Sequence, residues 1–88
     1  MSTLDQECGR ELKAFELKEK SVVIIQPPAA EPPVMMTMWV WDIDRDRQLV
    51  CFHSATLGWM VLNHFDDAGT IYDGQERVVK VFEYLGEI

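Results

Sequence analysis

The stretch VMMTMWVWDIDRDRQ, Val34–Gln48, decides how this chain folds. Its aromatic and β-branched residues, with no helical period, predict a strand over about Val34–Ile43. Successive side chains of a strand point to opposite faces. Val34, Met36, Met38 and Val40 form one row; Met35, Thr37, Trp39 and Trp41 form the other. Neither row is polar. One face belongs to a core, and the other needs a cover that 88 residues can scarcely provide.

Downstream, the charged DIDRDR predicts a four-residue loop at Asp44–Arg47, with QLVCFHS as the partner strand. That register sets Trp41 opposite Val50 and Trp39 opposite Phe52, with Val40 by Cys51 and Met38 by His53 on the other face. LGWMVLNHF, residues 57–65, alternates as a further strand. Leu57, Trp59, Val61 and Phe65 share one side; Met60, Leu62 and His64 share the other. DDAG then turns the chain, with Gly69 free to take positive φ, and TIY returns as a short strand. Upstream, SVVIIQ reads as a short buried strand, and the proline-rich residues 26–33 as an extended spacer.

Both ends carry helix signals. Thr3 and Gln6 fit a capping box, and Leu4, Cys8, Leu12 and Phe15 recur at helical spacing. Asp73 stands as an N-cap with Glu76 three residues on, followed by Val78, Val81, Phe82 and Leu85, and Gly86 as a stop. The expected fold is therefore a single α+β domain over residues 1–88: an antiparallel sheet of four to five strands flanked by an N-terminal and a C-terminal helix.

Fifteen acids against eight bases give a net charge of −7. No basic face is readable, which argues against direct nucleic-acid binding and against anionic membrane surfaces. No apolar run approaches the ~18 residues of a membrane span. The acidic, polar start of the chain lacks the apolar core of a signal peptide, so the expected setting is the cytoplasm. There, Cys8 and Cys51 are expected as two separate thiols.

Motifs for chemistry are sparse. Asp42, Asp44 and Asp46 alternate like the start of a calcium loop, but Arg47 and His53 stand where such a loop needs Gly and Glu, so a salt-bridged turn is expected. Cys51, His53 and His64 lack established zinc spacing, and no metal or other cofactor is expected. The acids Asp66 and Asp67 suit a turn. No glycine-rich phosphate loop exists, and an enzyme is the less favoured class.

What stands out is aromatic and thioether density. The expected interface or ligand-facing residues are Trp39, Trp41, Phe52, Trp59, Met36 and Met38, with His53 and His64 as candidate polar groups. Trp39, Trp41, Trp59, Phe52 and Phe65 would share one sheet face, and Met36, Met38, Met60, Leu62 and Cys51 the other. The leading expectation is a non-enzymatic binding protein that pairs with a second copy of itself through such a face. Two alternatives follow from the same residues. One is a pocket for an apolar small molecule, lined by Trp and Met with a histidine. The other is an acidic inhibitor whose Asp42, Asp44, Asp46, Asp66, Asp67, Asp73 and Glu76 mimic phosphates toward a basic partner protein.

Overall fold

The computed structural model describes residues 8–28, 35–54 and 58–86, with the exception of the Trp59 side chain. Seven strands run in chain order: β1 (Cys8–Leu12), β2 (Val22–Gln26), β3 (Met36–Asp44), β4 (Leu49–Ser54), β5 (Trp59–Phe65), β6 (Ile71–Tyr72) and β7 (Val78–Tyr84). The helical structure described is one short 3-10 turn, Ala14–Glu16. Every pairing is antiparallel, and neighbours from β2 to β7 follow chain order. β7 then pairs back onto β2, so six strands close into a barrel. An even strand number lets an up-and-down meander meet itself antiparallel.

β7 is the seam. One edge bonds β2, with Ile24 opposite Phe82 and Ile25 opposite Val81. The other edge is shared: Val78 and Val79 pair with β6, while Val81, Phe82 and Tyr84 pair with β1. β1 thus extends a barrel that the other six strands complete.

This overturns the α+β expectation at both ends. The predicted N-terminal helix is β1 followed by the 3-10 turn; Thr3, Leu4 and Gln6 lie outside the described residues. At the other end, Asp73 does bind the backbone ahead of it. Its Oδ1 accepts from the Gln75 and Arg77 amides, each at 2.9 Å, but within a hairpin turn. Glu76, the supposed third helical residue, has φ of 63°, which no right-handed helix admits. Alternation then rules β7: Val79 and Val81 are buried while Val78 and Lys80 are exposed. Phe82, on the row with Val78 and Lys80, is half-buried beside Ile24.

Inward residues fill the barrel: Val23 and Ile25, Met38 and Val40, Val50 and Phe52, Phe65, Ile71, Val79 and Val81. Even eight strands leave an interior only wide enough for side chains, so six leave no through-channel. One end is plugged from the chain itself. Ala14 and Leu17 join the core, the Ala14 amide donates to the Gly69 carbonyl at 2.9 Å, and the Arg45 guanidinium donates to the Leu17 carbonyl at 3.5 Å. Gly69 has φ of 86°, and a Cβ there would come within 2.8 Å of the Phe15 ring, so the plug fits glycine alone.

The predicted hairpin from β3 to β4 exists, with a different register. Its turn is Arg45–Gln48, one residue later than expected, with Gln48 at positive φ. Trp39 consequently faces His53 and Val40 faces Phe52. Between Val40 and Asp42 the ladder shifts by a bulge, so Trp41 and Asp42 both point outward and Ile43 returns to the core side. Residues 20–21 clamp this point: the Lys20 amide donates to the Val40 carbonyl at 2.7 Å, and the Val40 amide to the Ser21 carbonyl at 2.8 Å.

Packing of this kind makes inward and outward substitutions separable. Phe52→Ala should cost about 3–5 kcal/mol, a large share of the roughly 5–15 kcal/mol of a native domain. Trp41→Ala should stay within about 0.5 kcal/mol as a monomer. Urea unfolding of the two variants checks this; equal losses would contradict the inside–outside assignment.

Candidate functional site

The bulge and the register decide what β3, β4 and β5 show to the outside. On the outer face, cross-strand partners form a row from β2 to β5: Val22 opposite Trp39, Trp39 opposite His53, His53 opposite Met60. A second row follows, with Trp41 at the bulge, then Cys51 opposite Leu62. Trp41 is 53% exposed, Met60 52% and Leu62 61%. Strands lie about 4.8 Å apart, so the first row alone spans roughly 14 Å of apolar surface. The Trp41 and His53 rings are tilted against each other with centroids 5.0 Å apart. Lys20, Trp39, Trp41 and His53 enclose a shallow hollow of about 400 Å³ on this face.

The sequence-predicted site residues therefore divide. Trp39, Trp41 and His53 come together outside, with Met60, Leu62 and Cys51 beside them. Phe52 and Met38 are buried in the core, and Met36 packs against it. Phe65 is core as well, so the expected aromatic face and thioether face each split between interior and exterior. Trp59 pairs through its backbone with Ser54, and its side chain lies outside the described residues.

His64 stands apart, opposite Leu49 and Tyr72. Its Nε2–H donates to Glu76 Oε2 at 3.0 Å, and its ring stacks on Tyr72 with centroids 5.6 Å apart. Cys51 and His53 share the outer face of β4, yet among the described residues no three His, Cys, Asp or Glu side chains are grouped to hold a metal. Burial pushes the Cys51 thiol above its ordinary range, and neighbouring Asp42 adds to the effect. A thiol held protonated is a poor nucleophile. Cys8 and Cys51 are separate thiols on β1 and β4.

The acids are mostly occupied with structure. Asp44 Oδ1 accepts from the Arg47 amide at 3.1 Å, and its other oxygen lies 3.8 Å from the Arg47 guanidinium. Asp66 accepts from the Thr70 amide at 2.9 Å, the Ala68 amide at 3.0 Å and the Tyr72 hydroxyl at 3.1 Å. These bonds, the Thr70 amide foremost, hold its carboxyl below the usual range. Asp73 is lowered in the same way, first by the Arg77 amide and then by the Gln75 amide and the Arg77 side chain.

A second feature escaped sequence reasoning. At the end of the barrel opposite the plug, a cavity of about 190 Å³ opens among Ile25, Met36, Met38, Phe52, Val61 and Val79. Asn63, 4% exposed, faces it from β5, and its Oδ1 has no hydrogen-bond partner. An unmet buried acceptor costs about 1–3 kcal/mol. The mouth is rimmed by Asp73 and Arg77, whose Nε and Nη2 each lie 3.0 Å from Asp73 Oδ2. The signal was legible only as one polar residue on an otherwise apolar row, Val61–Asn63–Phe65.

Among the described residues no helix is long and apolar enough to cross a membrane. Comparison with protein-family models, curated proteins and solved structures found no match to this chain.

The depressed carboxyls of Asp66 and Asp73 fix the sign of an acid response. Their contribution to stability is present above the unfolded value of about 3.9 and disappears as pH falls through the lower folded values. Asp66→Ala should therefore be less stable than the natural chain near neutrality, with the gap closing in acid. Denaturant unfolding from neutral pH downward measures it; a gap that widens in acid would reverse the assignment.

Proposed function

We propose that this is a non-enzymatic binding protein that self-associates as a two-fold dimer through the outer face of β3, β4 and β5. The observation that carries the reading is the pairing of a hollow and a projection on one surface. Lys20, Trp39, Trp41 and His53 form the hollow, while Met60 and Leu62 project from the adjoining strand β5, Met60 directly opposite His53. An isologous interface requires such a patch, because each copy must present both halves of the fit. The charges suit the same partner: Lys20 and Asp42, both exposed at the edge of the patch, are of opposite sign. In the proposed dimer the lysine of one copy pairs with the aspartate of the other.

Tryptophan and methionine are enriched at interfaces, and exposed contiguous apolar surface is where association normally occurs. A standard stable interface buries roughly 800 Å² per partner. The net charge of −7 on each copy opposes association, so added salt strengthens the dimer. Separate thiols suit a reducing compartment, and the cytoplasm is the proposed setting.

Sedimentation from low to high micromolar concentration tests the reading. The mass should rise toward twice the monomer, sooner at higher salt. Trp41→Ala and Leu62→Ala should each weaken the dimer about tenfold or more. Val78→Ala, exposed on β7 across the barrel, should leave it unchanged. A strictly monomeric chain, or one whose mass ignores both patch substitutions, removes the proposal.

A further inference from the structure

We infer that the open end of the barrel is a binding site for a compact, uncharged, largely apolar molecule that bears one hydrogen-bond donor, with Asn63 Oδ1 as the acceptor. The site is separate from the outer patch: its walls come from inward-facing residues, and it stands whether or not the chain dimerises.

Three observations fix the class of ligand. Size comes first. The cavity of about 190 Å³ is of the order of the ~150 Å³ engineered cavity that takes up benzene, so one ring or a short branched chain fits. Polarity comes next. The walls are Ile25, Met36, Met38, Phe52, Val61 and Val79, and the methionines adapt to irregular shapes. Within them Asn63 is buried, with its acceptor oxygen unmet. A structural water normally takes two to four polar partners, and inside the Asp73–Arg77 rim the wall offers it the Asn63 side chain. A hydroxyl carried on an apolar body satisfies the oxygen and the walls together. Charge comes last. Asp73 and Arg77 at the rim neutralise each other, and Asp73 Oδ1 is taken by the turn amides. Neither sign is left over to select an ion.

The probes are phenol, toluene and benzoate: one ring with a donor, one without, and one charged. Methyl and amide NMR titration of the full chain reads binding at the methyl groups of Met36, Met38, Val61 and Val79 and at the Asn63 side-chain amide. Phenol should give saturable shifts confined to that end, with toluene about tenfold weaker and benzoate giving none. Asn63→Leu fills nearly the same volume without an acceptor. It should be at least as stable as the natural chain, should still take up toluene, and should lose the preference for phenol. The inference is overturned by phenol shifts that do not saturate, by equal affinity for phenol and toluene, by benzoate binding as well as phenol, or by a preference that survives Asn63→Leu. If that variant fails to fold, the comparison of phenol with toluene on the natural chain decides alone.

Discussion

Closure of the barrel through β7 is the constraint on which the rest of the structure depends. A sheet of six short strands in so small a chain has two exposed edges unless it bends onto itself, and unpaired edges invite association with other chains. β7 removes both. It bonds β2 along one side and divides its other side between β6 and β1. Because the closed interior is filled by one row from each strand, every outward row is left without any cover from the sheet. Closure therefore creates the core and the exposed aromatic rows in one step.

That division accounts for what could and could not be read from the amino acids. The strands β2 to β6, the DDAG turn and the two apolar rows of β3 were legible, because alternation over several residues is a strong pattern. The ends were not. Asp73 and Glu76 are spaced as a helix start, yet an aspartate that accepts from amides two and four residues ahead serves a hairpin equally well. Phe15 read as part of a helical stripe with Leu4, Cys8 and Leu12. In the barrel Gly9 lies where a Cβ would meet Glu83 at 2.8 Å, and Phe15 covers Gly69. Pairing partners distant in the chain settled these segments, and local propensity does not see them.

The candidate site was half legible for the same reason. Trp39 and Trp41 were placed correctly on one row, but the face assigned to Phe52 depended on a register that one turn residue and one bulge set. In strict alternation Asp42 would point into the core beside Val40. The bulge instead keeps the carboxylate in water and turns Ile43 inward, which avoids the cost of burying an unpaired charge. Tryptophan rows on the outside and an unmet asparagine oxygen on the inside are thus two separate departures from an economical small barrel. Departures of this kind concentrate where a protein does something besides fold.

The seam has a kinetic consequence. Hairpins from β3 to β6 join neighbours in the chain, but β2 and β7 are separated by all the strands between them. Contacts between such distant segments are slow to form, since loop entropy is lost before the contact rewards it. Until the seam zips, the nascent meander has β2, with its VVIIQ run, as an open edge. Folding of this chain is therefore a race between ring closure and encounters with its neighbours, and the charge of −7 that keeps copies apart favours the ring.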